Sequence, residues 1–372
     1  MNFLVCVKKQ EKMFEYNDLT QLHVELSSMC NAACPGCPRN VSGGYTLPSF
    51  KERQMSLGVF TSVIDDNILK NVKRILFCGN YGDPITCKDI VEILKYCSSV
   101  NPDIHIIIHT NGSLRTTEFW KEIASTNNNR LEIIFCIDGL EDTNKIYRRN
   151  TNWNKIIENV NVYINAGGIA IWEYLAFKHN EHQINEAKLL STKLGFNEFR
   201  LKKAFGFEHN GQLKVIDKEG KYQYTIYPPT DKSITNISAK PTTETDKTDI
   251  PPSHIQNNKN VITYNEYTEI SCMAKNGKEI FIDVEGKVYP CCFLGHASNP
   301  TPGIINEQYK QISNNFNTKI SIKDALSNNS YFSKIEESWS KTYIGDRIMM
   351  CSQMCQTKYN QLDDLYDKRM DR

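Results

Sequence analysis

The chain lacks any apolar run close to the roughly 20 residues that a membrane-spanning helix requires. It also lacks an excess of one charge, because 44 Lys and Arg residues oppose 43 Asp and Glu residues. A net charge of +1 gives no electrostatic reason to expect a nucleic acid or a membrane surface as a partner. Internal repeats and coiled-coil heptads are absent too. At 372 residues, the length predicts two or three globular domains.

Cysteine, in contrast, is abundant, with 13 residues. The first residues show neither the basic segment nor the small-residue cleavage site of a secretory signal, which predicts a cytoplasmic protein. Thiols stay reduced in that compartment, and an odd number of cysteines would leave one unpaired in a disulfide framework. The cysteines are therefore expected to bind metal rather than to form disulfides.

The densest group is Cys30, Cys34 and Cys37, which lie within eight residues, directly after a strand-like segment at 22–26. Thiolates are the preferred ligands of iron–sulfur clusters. Three ligands on a four-iron cluster leave one iron open, as in a reactive site rather than a closed structural one. A zinc site with His23 as the fourth ligand is the alternative.

The CxxxCxxC spacing after a first strand resembles the signature of radical S-adenosylmethionine (SAM) enzymes. In that family the amino and carboxylate groups of SAM chelate the fourth iron. The resemblance implies a [4Fe-4S] cluster on Cys30, Cys34 and Cys37, bound SAM, and a flavodoxin- or ferredoxin-type electron donor. Gly36 stands where most members carry an aromatic residue, so only backbone is expected to meet the cofactor there.

The segment 77–84 follows the second predicted strand and resembles the family's GGEP-type motif. Its glycines are one residue further apart than usual, and Asp83 replaces the usual Glu. The resemblance implies that backbone carbonyls and the Asp83 carboxylate hold the methionyl amino group of SAM. The residues assigned to this contact are Gly79, Tyr81, Gly82, Asp83 and Pro84.

Two later segments resemble other SAM-contacting elements of the family. Asn111 belongs to a Thr-Asn-Gly turn after the third predicted strand, and Asp138 to a Cys-x-Asp-Gly element after the fourth. Arg148 is assigned to the SAM carboxylate because a guanidinium can bind a carboxylate through two hydrogen bonds. Arg149 is a rival for that role.

A second cysteine set resembles the elements of SPASM and twitch domains, which carry auxiliary clusters. A full SPASM domain uses seven cysteines for two clusters, whereas five are present here. One four-cysteine cluster is therefore expected, serving electron transfer or structural support. Cys292 would either bind no metal or take the place of one of the four ligands. The alternative is a zinc ribbon with the same four ligands. The expected ligands of this auxiliary [4Fe-4S] cluster are Cys272, Cys291, Cys351 and Cys355.

Strand and helix patterns alternate from residue 20 to 205, which predicts an α/β fold with a parallel sheet covered by helices. Six units predict a partial (β/α)6 TIM-like barrel, with functional residues at the carboxyl ends of its strands. Glu173 could line the cavity but is more readily explained as a packing or surface residue, and His109 is expected to be structural. The other expected parts are an N-terminal extension (1–19), a hairpin with a flexible linker or lid (206–270), a small α+β twitch/SPASM-like domain (271–356) and a C-terminal tail (357–372).

These features predict an enzyme that cleaves SAM reductively and abstracts hydrogen from a peptide or a small molecule. A base that deprotonates the substrate cannot be assigned from the sequence. A non-catalytic zinc or iron–sulfur protein that uses the barrel as a scaffold is the alternative.

Overall fold

The computed structural model describes residues 15–48, 50–126, 130–204, 212–231, 234, 269–296, 321–328, 330–341 and 347–355. Most of the expected N-terminal extension, most of the expected linker or lid, and the C-terminal tail lie outside the described residues. Within the described part, no helix combines the length and the apolar character needed to cross a membrane.

The strands are β1 (Gln21–Val24), β2 (Asn40–Val41), β3 (Tyr45–Thr46), β4 (Arg74–Phe77), β5 (His105–Thr110), β6 (Leu131–Cys136), β7 (Ile169–Ala176), β8 (Glu198–Lys203), β9 (Leu213–Ile216), β10 (Tyr222–Ile226), β11 (Glu279–Ile282) and β12 (Val288–Tyr289). The helices are α1 (Leu57–Val63), α2 (Asp66–Asn71), α3 (Ile90–Val100), α4 (Thr117–Ala124), α5 (Asn144–Tyr147), α6 (Trp153–Asn165), α7 (Ile184–Leu194), α8 (Met273–Gly277), α9 (Cys292–His296), α10 (Ile322–Asn328), α11 (Ser330–Trp339) and α12 (Met349–Met354). Short 3-10 helices span Tyr16–Asp18, Pro84–Thr86 and Glu181–Gln183.

Eight strands form one sheet in the order β12-β11-β1-β4-β5-β6-β7-β8. The six neighbouring strands β1, β4, β5, β6, β7 and β8 are all parallel to one another. This confirms the predicted α/β barrel-type sheet and its six strands. The sequence did not predict that β11 also pairs in parallel with β1, where Leu22 is the partner of Ile280. The hairpin at the start of the expected C-terminal domain therefore extends the barrel sheet instead of forming a sheet of its own.

Side chains alternate across this sheet between the helices and the interior of the barrel. On β5, Ile106 and Ile108 are fully buried in the core, whereas His105, Ile107 and His109 on the other face keep some exposure. The apolar stripe of α3 packs into the same core, and its Cys97 is fully buried, as expected for an inert thiol. The fully buried apolar residues thus face the helices, and the interior face of β5 carries the polar side chains of His105 and His109 beside Ile107.

The hairpin β9–β10 lies over the loop that follows β1. Val215 and Ile226 pack in one apolar cluster with Ala32 and Cys34. The backbone N–H of Ile216 also donates to the carbonyl of Ser42 at 3.2 Å. This hairpin confirms the strand predicted near residues 220–227, and it shields the first cysteine group from solvent.

Candidate active site at the carboxyl ends of the strands

The first cysteine group occupies the loop after β1, at the carboxyl edge of the parallel strands. The N–H of Cys37 donates to the carbonyl of Cys34 at 3.0 Å, which forms a turn between these two cysteines. Burial raises the pKa of all three thiols, that of Cys37 to about 12, and the neighbouring thiols add to the shift at Cys30 and Cys37. Binding of a metal cluster would favour loss of the thiol protons, since metals bind the thiolate form. Three gathered sulfur donors at an open edge fit an iron–sulfur cluster.

A hydrogen-bond network joins this loop to the turns after β4 and β5. The Asn111 amide donates to Asn31 Oδ1 at 2.9 Å and to Asp83 Oδ2 at 2.8 Å, and Asn31 Nδ2 donates to Ser113 Oγ at 2.7 Å. Asn111 Nδ2 also lies 3.7 Å from Cys30 Sγ. The structure therefore brings Asn111 to the cysteine loop. The sequence reasoning missed Asn31 and Ser113, although an amide side chain directly after Cys30 was an available signal.

The carboxylate of Asp83 accepts hydrogen bonds from neighbouring residues of the protein. Besides the amide of Asn111, it accepts hydrogen bonds from the backbone N–H of Asn111 and the hydroxyl of Thr110, both at 2.9 Å, and from the N–H of Ile85 at 3.2 Å. Burial raises the pKa of Asp83 to about 6, against the opposing effect of these donors. With four hydrogen bonds in place, the carboxylate has little capacity left for an ammonium group.

The two glycines of the turn after β4 are required by close contacts. A Cβ on Gly82 would lie 1.9 Å from the carbonyl oxygen of Ser27, and one on Gly79 would lie 2.6 Å from the carbonyl oxygen of Gly82. The ring of Tyr81 packs on Phe50 with a centroid distance of 5.1 Å. Pro84 opens the 3-10 helix that ends the turn.

Arg148 and Asp138 form a buried ion pair beside the cysteine loop. Arg148 Nε lies 2.5 Å from Asp138 Oδ2, and its Nη1 lies 3.9 Å from Cys34 Sγ. The other oxygen of Asp138 accepts the N–H of Leu175 at 2.7 Å. Arg149 instead donates to the carbonyls of Gly43 and Ile216. Of the two candidate arginines, Arg148 therefore faces the cysteine loop, whereas Arg149 anchors the β9–β10 hairpin.

A polar group that includes His109 and Glu173, which the sequence reasoning expected to be structural, lies inside the barrel. Candidate ligand atoms of His109, Cys136 and Glu173 all lie within 4.8 Å of one another, and Lys202 Nζ lies 3.1 Å from Glu173 Oε2. Burial lowers the pKa of His109 to about 4. Burial alone would raise the pKa of Glu173, but His109 and Lys202 turn the shift downward. We call these four residues the chamber group; only their common inward face could have indicated them.

The four cysteines of the second set lie around one pocket. Cys272, Cys291, Cys351 and Cys355 line one small cavity of about 20 Å³, together with Leu294, Ile335 and Met350. The hydrogen bond to Cys355, together with burial, raises the pKa of Cys272, and burial raises the pKa of Cys351 to about 12. No disulfide joins any of the cysteines in the described ranges. Four thiols around one apolar cavity fit a fully ligated metal cluster.

Comparison with known proteins shows which family and which curated protein this chain is similar to. Residues 24–188 match the model of the Radical SAM superfamily. The chain is 24% identical over 102 residues to the S-adenosyl-L-methionine-dependent 2-deoxy-scyllo-inosamine dehydrogenase of Niallia circulans, a stretch that covers 26% of this chain and 37% of that protein. It therefore spans little more than a third of this curated relative.

Solved structures of SuiB from Streptococcus suis share the fold over most of the chain. The SAM-bound form superposes with a TM-score of 0.54 at 14% identity, and the match covers 91% of this chain and 73% of SuiB. The form bound to the precursor peptide SuiA superposes with a TM-score of 0.52 over the same shares of the chains. The stretch matched by the family model contains the cysteine loop and the strands β4, β5, β6 and β7, and this part of the chain is similar to the radical SAM superfamily.

Proposed function

We propose that this protein is an enzyme that cleaves SAM reductively at a [4Fe-4S] cluster held by Cys30, Cys34 and Cys37. The observation that carries the proposal is the network that ties this cysteine loop to Asn111 and Asp83, with the Arg148 guanidinium beside it. When bound, the cluster supplies the electron that splits SAM into methionine and a 5′-deoxyadenosyl radical able to abstract hydrogen.

The chain's own residues bind and orient SAM in this proposal. Arg148 binds the methionyl carboxylate through its guanidinium, and Asp138 fixes the orientation of that side chain. The carbonyls of the turn after β4 accept from the methionyl ammonium, since the Asp83 carboxylate is engaged by Asn111, Thr110 and Ile85. The β9–β10 hairpin excludes water from the cysteine loop.

We further propose that the second cysteine set holds an auxiliary [4Fe-4S] cluster that takes up an electron from the substrate. A cluster with four protein ligands has no open iron for substrate, which favours electron transfer. The net reaction is then a two-electron oxidation, and the initial electron comes from a flavodoxin- or ferredoxin-type donor.

The chamber group supports a substrate site inside the barrel. A buried ion pair such as Glu173 with Lys202 costs desolvation energy and is weak evidence of stabilisation, so a functional role explains it better. The positive charge of Lys202 would repel a divalent cation at this position. The chamber group therefore suits a polar group of the substrate better than a metal. The substrate is a peptide or a small molecule: SuiB is solved with a precursor peptide, and the Niallia relative is named for an inosamine.

Anaerobic purification and iron analysis test the metal assignment. A brown protein with about eight irons is expected for two clusters, whereas a colourless protein with two zinc ions would refute the enzyme. Incubation with dithionite and SAM should release 5′-deoxyadenosine. Cys34→Ala should abolish this release. Cys272→Ala should keep it but block product formation, and intact product formation would exclude the redox role of the auxiliary site.

A further inference from the structure

The carboxyl group of Glu25 lies beneath the turn after β4. Glu25 directly follows β1 and is only 2% exposed, and its Oε1 accepts the backbone N–H of Tyr81 at 2.8 Å. The backbone amides of Gly82 and Asn80 also stabilise its charged form, although burial raises the pKa of Glu25 to about 8. In either protonation state one oxygen remains an acceptor.

The amides that point at Glu25 determine where the carbonyls of the turn point. In a trans peptide the N–H and the preceding C=O lie in one plane and point in opposite directions. When the N–H groups of Asn80, Tyr81 and Gly82 face the Glu25 carboxyl group, the carbonyls of residues 79–81 face away from it. Backbone carbonyls directed to one side are what an ammonium group requires as acceptors.

Close packing leaves the turn little freedom to adopt another arrangement around Glu25. A Cβ on Gly79 would come within 2.8 Å of Glu25 Oε1, so the chain and the carboxyl group are already in contact there. The N–H of Glu25 itself donates to the carbonyl of Ile282 at 2.9 Å, which anchors it to the strand β11.

We propose that Glu25 is a positioning residue for SAM, which aims the carbonyls of residues 79–81 at the methionyl ammonium without touching it. This inference rests on the proposed function, because it assumes that SAM binds at this turn. Glu25 makes no contact with the cofactor in the proposal and acts only through the backbone of the turn.

The test compares SAM affinity in reconstituted holoenzyme of the wild type and the Glu25→Gln variant. We expect the dissociation constant for SAM to rise about tenfold or more, as when partners that orient metal ligands are removed. The iron content and the electron paramagnetic resonance spectrum of the reduced enzyme without SAM should stay unchanged. Amide hydrogen exchange should become faster at residues 79–82. These last readouts separate a local positioning role from general loss of structure.

Glu132→Gln is the matched control, because Glu132 is a largely buried glutamate at the opposite end of the sheet, paired with His105 at 3.0 Å. It should leave the SAM affinity unchanged. Gly79→Ala is a second variant that displaces the Glu25 carboxyl group without removing it, and it should weaken SAM binding similarly.

Each result decides a different claim. If the wild type does not bind SAM, the proposed function fails. If the wild type binds SAM and Glu25→Gln binds it equally well, the positioning role of Glu25 is wrong. Loss of iron from Glu25→Gln, or exchange that rises across the whole sheet, would also overturn it, because Glu25 would then support the fold as a whole.

Discussion

Replacing Arg148 with Met should destabilise the protein and weaken SAM binding for two separable reasons. The substitution removes the cation that neutralises Asp138, a fully buried side chain. Breaking a buried ion pair from one side costs about 3–5 kcal/mol, because the remaining charge is left without a counterion. Since the Arg148 side chain keeps 17% exposure, we expect the lower end, about 3 kcal/mol of unfolding free energy.

Adding Asp138→Asn to Arg148→Met separates the two effects. The amide oxygen of Asn can still accept the N–H of Leu175, and no buried charge remains. We therefore expect most of the lost stability to return. SAM affinity should stay at least about tenfold weaker, because a charge-assisted hydrogen bond to the ligand contributes about 1.5–3 kcal/mol and 1.4 kcal/mol is a factor of ten.

Denaturant unfolding of the reduced apoprotein measures the stability, and equilibrium dialysis of reconstituted enzyme measures SAM affinity. Arg149→Met is the matched control, because the Arg149 guanidinium donates to the carbonyls of Gly43 and Ile216 instead of facing the cysteine thiols. It should loosen the hairpin but spare SAM affinity. Wild-type SAM affinity in the double variant, or an equal loss in Arg149→Met, would refute the assignment.

Three further outcomes are expected. Cys272→Ala should lower the iron content of the reconstituted protein from about eight to about four per chain, whereas Cys97→Ala should not change it. As the pH falls, His23 becomes protonated at a higher pH in the unfolded chain than in the folded one, because burial lowers its pKa to about 4 in the folded protein. As the pH falls from 6.5 to 4, the wild type should therefore lose up to about 3 kcal/mol of unfolding free energy relative to His23→Gln, and parallel pH profiles would contradict this. Glu173→Gln should keep 5′-deoxyadenosine release but reduce product formation by at least about tenfold, and undiminished product would remove Glu173 from the substrate site.

The sequence predicted the order and parallel direction of six strands because each strand is a short, nearly continuous apolar run between helical patterns. It also predicted both cysteine sets, since thiol spacing is a local property. It did not predict the pairing of β11 with β1, because Gln21–Val24 and Glu279–Ile282 are more than 250 residues apart and nothing local specifies their register. The inward positions of His109 and Glu173 were missed for a related reason, since their chemistry depends on neighbours from other strands.

The shared sheet bears directly on how the two cysteine sets work together. A domain on a flexible tether would let the distance between the two metal sites vary, which suits the capture of a large partner. Here β11 is hydrogen-bonded to β1, and Asn80 Nδ2 donates to the carbonyl of Cys292 at 3.0 Å. Cys292 follows Cys291, a proposed auxiliary ligand, while Asn80 lies in the turn proposed to bind SAM. Backbone pairing and this contact thus fix the distance between the two cysteine sets, as the proposed electron transfer between them would require.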